Sequence, residues 1–206
     1  MTFDVDNRPT FTCQMGQIRA GGVLYYHFNL KKGCVEYLFA QYRNNIFEDF
    51  GGKTEKCDYS IEDTVAREVS EESNNVFCKH KTKCVLEKNK FVYLPSSKYC
   101  VYFIKLNHRI DEHKFDVIEK HLGYKRTVHW ISSDQIHKNM LHPRLRSKHI
   151  VNKFKNLQKR FNQFQINIQY QNDMYETDSP TLLQTCHLLN EKSIQKDYAL
   201  SNVISA

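Results

Sequence analysis

Glycine and proline are scarce in this chain of 206 residues, at 7 and 4, and tryptophan occurs once. That scarcity excludes collagen-like repeats and Pro/Gly-rich low-complexity architectures. No hydrophobic run approaches the roughly 18 residues of a membrane span, so a membrane partner is not expected. Positions 1–20 also lack the apolar stretch of a secretory signal. The seven cysteines, at 13, 34, 57, 78, 84, 100 and 186, are odd in number and never fall in CxxC spacing. They read as reduced thiols of a cytoplasmic, cytosol-like compartment rather than as a disulfide framework or a zinc ribbon. Aromatic residues, in contrast, are plentiful. With 12 Tyr, 13 Phe, 40% hydrophobic and 26% charged residues, the chain has the composition of a soluble globular protein. Its length suits one domain of roughly 150 residues with an extension.

Charge is unevenly distributed. The formal net charge is +7, but residues 171–206 hold five acidic and two basic side chains, a net of −3 that leaves +10 on residues 1–170. A basic body suits an anionic partner such as a nucleotide, a nucleic acid or an acidic surface; solubilising surface lysines are the competing explanation.

Residues 1–16 read as polar and irregular. Two aromatic and β-branched runs separated by Lys31-Lys32-Gly33 predict a hairpin over about 21–42, and a shorter run at 46–50 leads into Gly51-Gly52. Ile61, Val65 and Val69, four apart, predict a helix over 61–73, with Ser60 as N-cap, Asp63 in the capping-box position and Asn74-Asn75 as terminators. Strand candidates follow at 76–87, 90–94, 99–106 and 127–131, with helical character at 111–121. A basic amphipathic helix is predicted over 147–161, with Ile150, Phe154, Leu157 and Phe161 on one side. The last 40 or so residues read as a polar, partly disordered tail with a short helix near 180–192. Strands before and after a central helix, with a second helix near the end, predict a mixed sheet covered on both faces.

Glu68, Glu71 and Glu72 lie at i, i+3 and i+4, so their carboxylates share one face of the predicted helix. They repel one another, and they lie toward the helix C-terminus, where the dipole disfavours anions. Such a cluster suits a hard divalent cation with oxygen ligands, Mg²⁺ or Mn²⁺. A solvated acidic face, relieved by Arg67 pairing with Glu71, is the alternative.

Gly51-Gly52-Lys53-Thr54-Glu55 followed by Arg67-Glu68-Val69-Ser70-Glu71-Glu72 resembles the Nudix box, whose signature is Gly, five residues, Glu, seven residues, then Arg-Glu-apolar-x-Glu-Glu-x-Gly-apolar. Gly52 stands at the opening glycine, and the Arg-Glu and Glu-Glu steps are intact. Departures are one extra residue between Gly52 and Arg67, Asp58 where the first Glu is expected, Asn74 for the closing Gly, Asn75 at an apolar position that Val76 could fill, and Phe50 where many members have Pro. The resemblance covers about 25 residues. It implies an α/β/α sandwich with a central mixed sheet, in a hydrolase domain over 1–165 followed by an acidic tail over 166–206. It also implies hydrolysis of a nucleoside diphosphate linked to another moiety, with Mg²⁺ or Mn²⁺. Carried over by position, Glu71 and Glu72 are metal ligands, Glu68 is a ligand or general base, and the Gly52 carbonyl is a further ligand. Arg67 is structural, paired with Asp58 or Glu55. Lys53 and Arg43 are candidates to face substrate phosphates, and Glu112 or Asp111 is the candidate base if that role lies in a later loop.

Substrate identity is weakly encoded. Tyr25, Tyr42, Phe47, Tyr93 and Trp130 are candidate base-stacking rings, each with a core or hairpin role as the commoner explanation. The positions of Tyr93 and Pro95 after the box lean toward dinucleoside polyphosphates over ADP-ribose. A nucleotide-derived small molecule is the expected partner. RNA is the alternative, through the basic segment 142–160 (His142, Arg144, Arg146, Lys148, Lys153, Lys155, Lys159, Arg160), as a decapping enzyme of this family would require. His142 and His149 read as ordinary surface or loop histidines. The third reading is a binding module that keeps the fold without turnover.

Overall fold

The computed structural model describes residues 2–3, 8–42, 45–115, 117–119 and 124–176. Two short hairpin strands, β2 (Pro9–Cys13) and β3 (Gly16–Ile18), join β1 (Thr2–Phe3) in a small sheet. The main sheet begins with β4 (Ala20–Asn29) and β5 (Cys34–Tyr42), the predicted hairpin, turning through Gly33 at φ 68°. β6 (Ile46–Glu48) pairs with β5, and β7 (Phe50–Lys53) pairs with β4. Helices α1 (Ile61–Glu72) and α2 (Lys79–Leu86) precede β8 (Phe91–Leu94) and β9 (Tyr99–Lys105). β10 (Val117–Glu119), β11 (Tyr124–Ser132) and the long helix α3 (Lys148–Glu176) complete the order.

The strand order β10-β11-β5-β4-β9-β8 is mixed: β4 runs parallel to β9 and antiparallel to β5. β4 is central and hydrophobic on both faces, as a strand covered from both sides must be. Its alternation assigns Val23 and Tyr25 to one core, with Val65, Ala66 and Val69 of α1, Phe77, and Val85 and Leu86 of α2. Leu24 and Tyr26 face the other core, beneath Ile150, Leu157 and Phe161 of α3. The result is the expected α/β/α sandwich. Among the described residues no helix is long and apolar enough to cross a membrane.

Several elements differ from expectation. Residues 79–86 are helical rather than part of a strand: Thr82, Val85 and Leu86 are buried at i, i+3 and i+4, and Lys83 forms an ion pair with Asp63 of α1 at 2.7 Å. Alternating lysines at 79, 81 and 83 imitate the two-residue period of a strand. The stretch before residue 16 contains β2 instead of irregular chain, held where the Thr54 hydroxyl donates to the Pro9 carbonyl (2.7 Å). Residues 112–115 form one 3₁₀ turn, and β10 replaces the expected helical continuation. α3 extends to Glu176, taking in residues 166–176 that polarity placed in the tail. Beyond its apolar anchors the helix carries amide pairs four apart, Gln158 to Asn162 (2.8 Å) and Gln163 to Asn167 (3.2 Å). The tail beyond 176, including the helix expected near 180–192, lies outside the described residues.

Phe161 and Phe164 share this helix with opposite consequences, the first fully buried and the second 41% exposed. Phe161→Ala is expected to lower unfolding stability by about 3–5 kcal/mol. Phe164→Ala should stay within about 0.5 kcal/mol of the parent. Urea denaturation of both variants checks this, and equal losses would mean that the two faces of α3 are misassigned.

Candidate functional site

β7 carries Gly51 and Gly52 into register with Gly22 and Gly21 of β4, against the flank of α1. A Cβ at Gly51 would strike the Gly21 carbonyl and the Gly22 backbone, and one at Gly52 would strike the Glu68 carboxyl group. The glycines are therefore required by close approach. Their absence of side chain is what lets a carboxylate of α1 rest against the strand.

α1 begins where Ser60 Oγ accepts the Asp63 N–H at 3.1 Å, the expected N-cap. It ends through two consecutive left-handed residues, Asn74 (φ 54°) and Asn75 (φ 59°), with the Asn75 N–H donating to the Ser70 carbonyl at 2.7 Å. Asparagine takes this conformation at little cost, so the helix closes without glycine.

Arg67 is the hub of the site. Its Nε donates to Asp58 Oδ1 (3.2 Å) and one terminal nitrogen to Asp58 Oδ2 (3.1 Å), a two-point pairing with a carboxylate that is almost wholly buried. The same nitrogen donates to the Lys53 carbonyl (2.9 Å). The other terminal nitrogen faces Glu68 (3.1 Å), Glu71 (3.3 Å) and Glu55 (3.7 Å). Asp58 also accepts from the Glu55 N–H (2.8 Å) and the Thr64 hydroxyl (2.9 Å). Burial alone would raise the Asp58 pKa; the Arg67 bonds and charge, with these two donors, outweigh it and hold the carboxyl below its ordinary value.

The three glutamates stand in different environments. The Glu68 side chain is 17% exposed against 61% for that of Glu71. Burial pushes the Glu68 pKa up; Arg67 opposes this, while Glu71 and Glu55 add repulsion. Glu71 pairs with Arg67, and Glu72 accepts the Gly51 N–H at 2.7 Å. Among the described residues no three His, Cys, Asp or Glu side chains converge as a ready metal cluster. The donor chemistry nevertheless fits a hard cation: four carboxylates, Glu55, Asp58, Glu68 and Glu71, share one guanidinium. The local surplus of negative charge and the all-oxygen donor set are what such an ion requires.

The other candidates lie elsewhere. Lys53 is exposed at the end of β7, and Arg43 lies outside the described residues. Glu112 accepts the Trp130 backbone N–H (2.9 Å) and faces Arg109 (3.5 Å), and Asp111 accepts the His113 N–H (3.0 Å). Both thereby fix their own loop. Tyr25 is buried and stacked on Phe77 with centroids 3.9 Å apart, and the Tyr93 hydroxyl donates to Gln17 (2.8 Å). Trp130 donates its indole N–H to Ile110 (2.9 Å), and Phe47 packs edge-on against Phe39 and His129. The Tyr42 side chain lies outside the described residues. In the basic segment, His142 accepts the Arg144 N–H, and Arg146 donates to the Leu141 and Asn139 carbonyls.

Arg144 belongs to a cluster that sequence reading missed. Its guanidinium donates to Asp49 (2.8 Å) and Glu48 (3.0 Å) and lies 4.8 Å from the Tyr99 ring centroid. The Tyr99 hydroxyl donates to the other Asp49 oxygen at 2.9 Å. The group adjoins the box, since a Cβ at Gly51 would come within 2.6 Å of the Tyr99 hydroxyl. Its members are 50 and 95 positions apart in sequence, so no local spacing could reveal it.

No family model and no curated protein matches the sequence. Solved structures do resemble the fold. A C. elegans Ap4A hydrolase in a binary complex is 16% identical at TM-score 0.41, over 72% of this chain and 99% of that one. The NUDIX domain of Shewanella oneidensis NrtR, complexed with ADP ribose, is 14% identical at TM-score 0.44, over 76% of this chain and 94% of that one. A MutT/nudix family protein from Enterococcus faecalis is 16% identical at TM-score 0.36, over 60% and 46%.

The electrostatics give opposite expectations for two neighbours. Arg67→Met leaves the Asp58 carboxylate buried and unpaired, and should cost about 3–5 kcal/mol at pH 7. Because the Asp58 pKa is depressed on folding, the stability it contributes is present above the unfolded carboxylate value and disappears as pH falls through its lower folded value. The Glu68 pKa is raised on folding, so its charge opposes folding above that value. Glu68→Gln should raise the urea midpoint of the metal-free protein at pH 7, with the gain fading as pH falls and Glu68 itself protonates. A lowered midpoint at pH 7 would show that the Glu68 charge supports the fold.

Proposed function

We propose that the chain is a Nudix-type hydrolase that cleaves a phosphoanhydride bond, in a nucleoside diphosphate linked to another moiety, with Mg²⁺ or Mn²⁺. The observation that carries this reading is the arrangement around Arg67: one buried guanidinium clamps the loop through Asp58 and holds Glu68 and Glu71 beside the glycine strand.

Glu71, Glu72 and the Gly52 carbonyl are the groups that would hold the cation, with Glu68 as the general base. When bound, it neutralises charge on the phosphates and lowers the pKa of a bound water. The remaining tasks fall to the chain. Arg67 fixes the Glu68 carboxyl through Oε1, which leaves Oε2 to accept a proton from the attacking water. Gly51 and Gly52 allow substrate and carboxylate to approach the backbone without a Cβ between them. Lys53, exposed beside them, would offset charge developing on the leaving phosphate. Glu112 and Asp111 are committed to their loop, which favours Glu68 over them as the base.

The test is product formation from a panel of nucleoside triphosphates, ADP-ribose, dinucleoside polyphosphates and capped RNA, with each metal. Turnover of one class is expected, and Glu72→Gln should reduce it by at least about 100-fold. A parallel thermal-shift titration with Mn²⁺ should stabilise the parent and leave Glu72→Gln nearly unmoved. Equal inertness of both proteins towards metal and substrate would replace the hydrolase reading with a non-catalytic binding module.

A further inference from the structure

A second site lies at the opposite end of β4. From Gly21, at the box, to Phe28 is roughly 23 Å along the strand at the usual rise per residue. There β9 outruns its neighbour: the last β8 pairing is Phe91 with Tyr102, while β9 continues to Lys105. A cleft of about 310 Å³ opens along this edge, between the end of α2 and the outer part of α3. Phe28, Phe103 and Phe164 supply rings, Lys105 and Arg160 supply cations, and Asn89 supplies an amide. None of the described residues lining the cleft is acidic.

The cations here are unbalanced. Lys105 Nζ lies 4.9 Å from the Phe28 ring centroid and 5.9 Å from that of Phe164, and Lys153 Nζ lies 5.6 Å from that of Phe103. Neither these lysines nor Arg160 form an ion pair with any described residue. Lys153 is half-buried; that burial, with repulsion from Arg160, lowers its pKa. Arg67, Arg109 and Arg144 are, in contrast, each paired with carboxylates. Lys105 and Lys153 against aromatic rings, Arg160 on the cleft wall, and a ring 41% exposed match a ligand that is both anionic and aromatic.

We infer that this cleft holds a segment of single-stranded nucleic acid, with a base stacked on Phe164 and phosphates against Lys105, Lys153 and Arg160. Stacking platforms beside a cationic track are the general means of gripping a single strand, because every base has a π-face and every nucleotide a charge. The favoured occupant is a strand rather than a lone nucleotide. Lys153 lies outside the cleft, seven residues and about 10 Å of helix before Arg160, so the cations extend further than one phosphate reaches. Arg144 and Arg146, by contrast, are turned inward and play no part.

The inference is independent of hydrolysis at the box, and a probe lacking any phosphoanhydride keeps the two separate. A 5′-hydroxyl, 3′-fluorescein decauridylate is titrated with the full chain and followed by anisotropy at about 50 mM salt without divalent metal. Binding is expected, with the slope of log affinity against log salt reduced by about 0.7 in Lys105→Gln and again in Arg160→Gln. Phe164→Ala should weaken binding about tenfold with an unchanged melting temperature. A duplex of equal length and a fluorescein-labelled polyglutamate should bind more weakly than the single strand. The inference is overturned by absence of binding up to roughly 100 µM protein. It is also overturned by indifference to Phe164→Ala, or by equal affinity for polyglutamate, which would make the patch a general acidic-peptide surface.

Discussion

A guanidinium that cannot be removed without orphaning a buried carboxylate organises the functional half of this molecule. Arg67 lies 8% exposed and Asp58 1%, and neither charge could be buried without the other. Their pairing fixes the loop between β7 and α1, because Asp58 also takes the Glu55 N–H and Arg67 the Lys53 carbonyl. With loop and helix locked together, Glu68 and Glu71 are held close to one another despite their repulsion. The one extra residue in the loop is accommodated because the anchor points, rather than the chain length between them, define the geometry.

The sheet supplies the complementary constraint. A central strand buried on both faces can expose nothing to solvent except its ends, so chemistry must be placed at those ends. At one end of β4, glycines remove side chains and admit the carboxylates of α1. Beside that end, Asp49, Tyr99 and Arg144 tie together β9, the approach to β7 and the segment leading into α3. Burial keeps the Tyr99 phenol protonated and able to donate to Asp49. The cluster joins the two faces of the sandwich at the box, so disturbance of the α3 face can reach the glycines through contact.

What was legible in the sequence was local. The β4–β5 hairpin was visible from two aromatic runs about a glycine turn, and α1 from its four-residue period, its serine cap and its paired asparagines. The acidic face and its arginine were visible because helical spacing alone brings them together. α2 was missed because alternating lysines carry a strand-like period that says nothing about Thr82, Val85 and Leu86 beneath them. The Arg144 cluster was invisible because its partners meet only after the sheet has formed. Three members of the basic segment 142–160, His142, Arg144 and Arg146, proved to be internal wiring, since an arginine reads the same in sequence whether it faces water or a buried aspartate. The candidate stacking rings were nearly all structural, while the exposed Phe164 drew no notice, lying just past the last anchor of the helix expected over 147–161.

The two ends of β4 differ in the sign of their uncompensated charge, and this orders how ligands can be admitted. Around Arg67, carboxylates outnumber cations, so an anion is repelled there unless a bound cation offsets the local charge. At the far cleft, cations are in excess and an anion is attracted with no metal present. A long polyanion would therefore meet the far cleft first and unaided, whereas a small phosphorylated molecule would be drawn to the box only with its metal. Added salt weakens the first attraction by screening and counterion competition. The second depends chiefly on direct ligation, which survives at short range where screening is slight. The basic net charge is thus not a uniform halo: uncompensated cations around the α3–β9 cleft coexist with a local surplus of carboxylates at the site proposed for catalysis.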